Sequence, residues 1–318
     1  MNLDTKVKVA DTYGCRFYSF QKQKFIHALT EEFEALSMPV QSFSRKRFKL
    51  FSVNDYVYGN LKSAKTIFVI PYDTPDKCLW FKNTYYINNG TKNQSSSMFQ
   101  TFGPILIFYL LFVVLLYVLP MYFPGIEAQI FFTSICFVLM ALILTSLTKG
   151  FPNRKNYNRN SSAIITAIEL AKSLSKEDLK KTAFAFTDAN KSIYMGDMIL
   201  KDELSFLNRN PLVVHLNCLG EGDCIQIGYT PTNRKLANEL GKQYKGEATL
   251  EIIELKDENR QNYALAHYKK AVQVCAGFKN DKGYLVNHNT QSNKDHQLDE
   301  KLVDSMIEML KRYIMNVK

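Results

Sequence analysis

The sequence predicts an α/β domain, its sheet mostly parallel or mixed with helices on both faces, interrupted by a two-helix transmembrane hairpin. Three observations predict it. Short apolar runs of strand length alternate with amphipathic helical patterns, as in a sheet covered on both sides. Residues 101–148 contain one charged residue, Glu127, in a chain of 318 residues that is 22% charged. The polar segments on either side each carry part of the α/β pattern. Residues 1–100 and 149–318 therefore read as two parts of one domain, with 101–148 as the hairpin. The mean hydropathy of −0.18 averages these unlike regions and hides the hairpin.

The elements follow in order. Residues 19–36 place Ile26, Leu29, Phe33 and Leu36 on one helical face. Residues 48–53 and 55–61 alternate like paired strands, and 66–70 (TIFVI) is a short apolar run typical of a buried strand. Residues 88–97 are polar and low in complexity and read as a link into the membrane. After the hairpin, Asn160 or Ser161 can cap a helix bearing Ile164, Ile168, Ala171 and Leu174. Buried strands are expected at 182–187, 212–218, 224–229, 249–255 and 272–276. A helix opens at Thr230-Pro231, and a last one over 298–314 carries Leu302, Met306, Met309, Leu310 and Tyr313.

Residues 102–123 and 126–147 are each long enough, at about 1.5 Å per residue, to cross roughly 30 Å of hydrocarbon. Pro104 suits a helix start, and Pro124-Gly125 suits the tight turn between spans. A buried hairpin in a soluble core is the plainer alternative, but soluble helices rarely avoid charge for so long. The turn at 124–129 has no Lys or Arg, whereas Lys92, Lys149, Arg154, Lys155 and Arg159 flank the outer ends. The positive-inside rule then places both termini in the cytoplasm of a two-span cell-membrane protein.

The net charge of +10 is scattered rather than gathered into a basic arm interleaved with aromatics, so nucleic-acid binding is not expected. A basic face beside anionic lipid suffices. Six dispersed cysteines without a CxxC pair fit a reducing compartment and exclude a zinc knuckle. The polar first 20 residues contain no signal-peptide core.

Five phrases, in order and between matching elements, resemble the zinc aminopeptidases of clan MH, family twenty-eight. They cover most of the chain outside 95–150. Pro71-Tyr72-Asp73 stands where that family has His-x-Asp at a strand end. Arg159-Asn160-Ser161-Ser162-Ala163 stands for Asp-Asn-Ala-Ser-Gly at a helix start. Asp188-Ala189-Asn190-Lys191, then Gly196-Asp197, stands for Asp-Gly-Glu-Glu and a following Gly-Ser. His215-Leu216-Asn217 stands for Asn-Leu-Asp, and Asn289-Thr290 for the closing His-Thr.

The resemblance implies a site for two zinc ions, held by two His and three acidic ligands, with a Glu as general base. The positions matching the ligands are Pro71, Arg159, Lys191, Asn217 and Asn289, and Asn190 matches the base. None is a good zinc ligand. At ~4 Å and an effective dielectric of 20, each like-charge contact costs roughly 4 kcal/mol, and a divalent ion doubles it. His288, beside Asn289, could restore one ligand at most. Arg159 and Lys191 are therefore expected to replace the metals electrostatically, neutralising Asp73 and Asp188.

On these grounds the expectation is a chain that is not an enzyme, with no catalytic residue, metal or cofactor. It would be an accessory subunit of a membrane complex, with the bilayer and an integral membrane partner, such as a peptide or bacteriocin exporter. The alternative is a peptide-binding or immunity protein in which Arg159 and Lys191 hold a peptide carboxylate. A further alternative is an active exopeptidase or hydrolase with atypical residues. A Ser161/Ser162–His215–Asp73 arrangement lacks the G-x-S-x-G elbow, and helix capping explains both serines. Cys218 and His215, three apart on a strand, face opposite ways.

Overall fold

The computed structural model describes residues 2–47, 51–78, 84–122, 125–189, 194–256 and 264–316. In chain order these form α1 (Leu3–Lys6), α2 (Ser19–Glu34), β1 (Val40–Arg47), β2 (Phe51–Tyr58), β3 (Thr66–Pro71), β4 (Thr84–Tyr86), α3 (Gly90–Tyr122) and α4 (Ile126–Lys149). Then come α5 (Ser162–Ser173), α6 (Lys176–Lys180), β5 (Thr182–Thr187), α7 (Met195–Phe206), β6 (Leu212–Leu216), β7 (Cys224–Tyr229) and α8 (Arg234–Gly241). The chain closes with β8 (Thr249–Glu254), β9 (Ala271–Lys279), β10 (Leu285–His288) and α9 (Glu300–Asn316).

The strands form one mixed sheet in the order β1-β2-β5-β3-β6-β9-β10-β4, with β7 pairing β9 and β8. β5, β3, β6 and β9 are parallel. β2 joins β5 antiparallel, and β10 joins β9 and β4 antiparallel. The central strands β3, β5 and β6 are buried at every residue, as strands covered on both faces must be.

The side-chain alternation of β3 divides the core. Phe68 and Ile70 join α2, α5 and α9 on one face, while Ile67 and Val69 join Leu200 and Leu204 of α7 on the other. On the first face Phe33 stacks on Tyr58 with ring centroids 4.4 Å apart.

Two strand expectations shift. The pair drawn at 48–53 and 55–61 lies at Val40–Arg47 and Phe51–Tyr58, because Val53, Val57 and Tyr58 are the residues buried against the core. The polar stretch 88–97 is not a free linker: Asn88 and Asn89 are buried and α3 begins at Gly90. The expected Pro124 turn lies outside the described residues.

The hairpin helices are long and apolar enough to cross a membrane, with a mean hydropathy of 2.4 in the most apolar 18 residues of Gly90–Val118 and 2.1 in those of Ile126–Leu144. Their hydrophobic side chains point outward: Leu110, Val114, Tyr117, Phe131, Val138 and Leu142 are all exposed. The two helices touch each other, with the Phe112 and Phe137 rings 5.1 Å apart.

Both outer ends are tied to the domain. Asn93 of α3 donates to the Tyr86 carbonyl at 2.6 Å and accepts from its N–H at 2.9 Å. Asn88 donates to Gln226 at 2.9 Å and accepts from Gln273 at 2.8 Å. After α4, the Lys77 N–H donates to the Phe151 carbonyl at 2.7 Å.

Candidate functional site

Three parallel strands end side by side. β3 closes on Pro71, β5 on Thr187 just before Asp188, and β6 on Leu216 just before Asn217. In open α/β sheets ligands collect beyond these carboxyl ends. A narrow cleft of about 30 Å3 opens there. Its polar lining is Asp73, Arg159, Asn160, His215 and Asn217, and its apolar walls are Pro71, Pro75, Tyr85 and Tyr194.

The backbone around it is strained. Cys218, one residue past Asn217, has φ 53°, Tyr194 has φ 53° and Ala189 has φ 55°. Left-handed backbone is costly for residues with a Cβ and concentrates at working sites. Gly196 makes the α7 entry possible: a Cβ there would lie 2.7 Å from both the Asp188 carbonyl and the Asp55 carboxylate.

Arg159 comes from the turn Tyr157–Ser161 that leads into α5. Its guanidinium stands 4.1 Å from the Tyr85 ring centroid, a cation–π contact. Burial acts to lower its pKa, and the electron-rich Tyr85, Cys218 and Tyr194, with Asp73, more than offset it. It stays charged. Among the described residues the guanidinium makes no ion pair, so Arg159 is not seen to supply the neutralisation of Asp73 and Asp188 expected of it with Lys191.

Asp188 is neutralised, but from elsewhere: Lys22 of α2 reaches its Oδ1 at 2.5 Å. The Asp188 N–H donates to Asp55 at 2.9 Å, and burial drives the Asp55 pKa well above the usual carboxylate range. Asn190 and Lys191 lie outside the described residues.

His215 is the residue the motif comparison undervalued. It is 1% exposed, yet it lines the cleft. Neither ring nitrogen has a hydrogen-bond partner. Asp197 Oδ1 stands 3.8 Å from Nε2, too far for a hydrogen bond. Burial pulls the His215 pKa down to about 4 and pushes Asp197 up to about 7. The pair is therefore a neutral imidazole beside a partly protonated acid near pH 7, not a salt bridge. Tyr268 donates to Asp197 at 3.0 Å. A polar residue inside the apolar run LVVHL, at the carboxyl end of a parallel strand, was the available signal.

Arg16 was also missed. Fully buried, it donates to the Tyr72 carbonyl at 2.6 Å and to Ser161 Oγ at 3.0 Å, tying the end of β3 to the turn that carries Arg159. Ser162 Oγ accepts from the Leu219 N–H at 2.9 Å. Both serines are structural, and no Ser–His–Asp arrangement forms among them.

The structure thus brings Pro71, Asp73, Arg159 and Asn217 into one cleft and leaves Asp188 beside it, held by Lys22. Asn289, with φ 65°, does not line the cleft. Its neighbour His288 is exposed and meets Thr84 at 3.2 Å, so it restores no ligand. Zinc, which the resemblance implies, does not fit this donor set: the cleft offers one carboxylate and one imidazole beside a guanidinium. Chemically the cleft offers a fixed positive charge, able to hold or stabilise an anion, and a neutral imidazole able to exchange a proton.

No family model and no curated protein matches the sequence. Solved structures do. The chain superposes on Porphyromonas gingivalis glutaminyl cyclase with a TM-score of 0.60 at 10% identity, covering 98% of this chain and 95% of that one. A leucine aminopeptidase precursor from Bacteroides thetaiotaomicron gives 0.58 at 11% identity, covering 99% and 95%. LapB from Legionella pneumophila gives 0.57 at 12%, covering 98% and 70%.

The fold is therefore that of the aminopeptidase-like and glutaminyl cyclase enzymes. This corrects the expectation of a chain that is not an enzyme. That inference rested on missing zinc ligands and a missing general base at Asn190, whereas the fold is shared almost end to end with catalysts. A poor zinc donor set argues about one metal and not about whether chemistry occurs.

Proposed function

We propose that this chain is a membrane-held enzyme for peptidyl or aminoacyl substrates, working beside an integral membrane partner such as a peptide exporter. One observation carries the reading: Arg159, His215 and Asp73 share a cleft at the carboxyl ends of β3 and β6, in a fold whose solved examples include enzymes named for glutaminyl and leucyl substrates. The fixed charge of Arg159 stands where the resemblance puts a metal ligand.

The hairpin supports the membrane half of the reading. Its outward apolar side chains need a lipid or protein environment. Lys92, Lys149, Arg154 and Lys155 flank its outer ends, which favours a cytoplasmic domain. The cleft and the hairpin are neighbours in the chain. Arg159 follows α4 by ten residues, and Tyr85 precedes α3 by five.

The test is turnover. The full chain, purified in mild detergent, is given a panel of aminoacyl and peptidyl substrates, with products read by mass spectrometry, with and without chelator. Product formation that survives chelation is the expected result. A folded protein that converts nothing on the panel overturns the enzymatic reading. Membrane partners are read separately, by mass spectrometry of proteins copurifying with the intact chain and with a hairpin-deleted control.

A further inference from the structure

Two unmet donors lie in the same cleft. The Arg159 guanidinium carries five N–H groups and a permanent charge. Among the described residues it has a ring face beneath it but no carboxylate beside it. His215 carries at least one ring N–H donor whatever its protonation state. It is 1% exposed and neither nitrogen is bonded. Leaving a buried donor unsatisfied is costly. Among the described residues both groups lack an acceptor, and the permanent cation calls for one with negative charge.

We infer that Arg159 and His215 together form a carboxylate-binding site, so that the substrate enters this cleft by a carboxylate end. The inference deepens the proposed function and rests on the reading of this cleft as the working site. The geometry favours a carboxylate over larger anions. A planar guanidinium matches a carboxylate through two parallel hydrogen bonds. One fixed cation balances one negative charge, as a carboxylate carries. The Tyr85 ring, 4.1 Å from the guanidinium, holds the fork in place before the ligand arrives. The cleft, with about 30 Å3 of free space, admits the carboxylate group itself while the rest of the molecule stays at its mouth. The source of the carboxylate is either a peptide C-terminus or a small free acid.

The experiment titrates the full chain in detergent by calorimetry with four probes: N-acetylglycine, N-acetylglycinamide, trialanine and inorganic phosphate. The acid should bind at least about tenfold more tightly than its amide, as loss of a charge-assisted pair requires. Trialanine tighter than N-acetylglycine assigns the peptide source, and the reverse order assigns the free acid. Arg159→Gln should abolish the preference for acid over amide. His215→Gln should weaken the acid alone, by about threefold to tenfold. Each variant is checked for an unchanged melting profile, and Arg159→Lys, which keeps charge without the fork, should restore part of the preference.

Equal binding of acid and amide overturns the inference, as does phosphate binding more tightly than N-acetylglycine. These outcomes leave turnover on the substrate panel untouched. Absent turnover with the acid preference intact sinks the enzymatic reading alone.

Discussion

The domain and the hairpin use the same apolar residue types in opposite surroundings. In the domain, Phe184, Phe186, Ile67 and Val214 are fully buried between sheet and helices. In the hairpin, Leu110, Val114, Phe131 and Val138 are exposed. A helix in water needs an apolar stripe packed on a core and a polar opposite face. The hairpin has neither, so its missing packing partner is external. The domain supplies its own solvent-excluded interior, whereas the hairpin requires one.

The largest expected effect sharpens that contrast. Phe184→Ala removes a ring that packs between Phe33 and Phe68, at 5.4 Å from each centroid, and should cost about 3–5 kcal/mol in denaturant unfolding. Leu110→Ala, of like chemistry but 55% exposed, should leave the domain's unfolding midpoint unchanged. Equal losses would break the comparison. Next in size, Val138→Arg at the centre of α4 should oppose membrane insertion by about 2.5–3.5 kcal/mol. It would be read as protein released from membranes by alkaline carbonate. An arginine that leaves extraction unchanged would show that α4 does not sit in hydrocarbon.

The domain's buried charges give a smaller, pH-dependent signal that the hairpin lacks. Burial raises Asp197 and Asp295 to about 7 and Asp55 well above its ordinary value. Between about pH 4 and 7 these carboxyls keep protons that the unfolded chain releases, so stability falls as pH rises. His215, lowered by burial to about 4, works the other way: the unfolded chain binds its proton up to about 6.5, so this group adds stability as pH rises through that window. His267, also lowered by burial, acts as His215 does; each proton held by one state alone is worth about 1.4 kcal/mol per pH unit, and the three raised carboxyls outnumber the two histidines. The melting temperature should therefore decline from pH 4 to 7. Asp197→Asn should flatten the decline and His215→Gln should steepen it. A melting temperature that rises across the window would contradict the assigned environments.

The contrast also governs what the sequence disclosed. Wholly buried strands announce themselves: TIFVI and TAFAFT were legible as β3 and β5 because both faces are apolar. The hairpin was equally plain from its near-absence of charge. β1 and β2 were misplaced because Ser, Lys and Arg alternate there against a half-solvated face, and a two-residue period has several registers in such a stretch. At the cleft, the motif comparison located Pro71, Asp73, Arg159 and Asn217. It missed Lys22, Arg16 and Tyr85, which arrive from distant segments through packing that no local phrase encodes. His215 was weighed only as a triad member or a partner of Cys218, because burial without a hydrogen-bond partner is a fact of three dimensions.

The smallest effect tests where the two regions join. Asn93 lies in the first turn of α3 and its amide closes a two-bond ring onto the Tyr86 backbone, one residue from the Tyr85 ring that carries Arg159. Lys92 adds a contact 3.6 Å from the Tyr284 ring centroid. Asn93→Ala removes both amide bonds, worth about 1–2 kcal/mol together at a part-exposed position. That sum is too small to unfold a domain held by the β3–β5–β6 core, and too far from the spans to change insertion. It is large enough to let the first turn of α3 fray from β4. The expected readout is local: faster amide hydrogen exchange and proteolysis across 84–95, with the global melting temperature and carbonate extraction both unchanged. A global loss of stability would mean that domain and hairpin are one cooperative unit, and the division between a self-sufficient interior and a borrowed one would not hold.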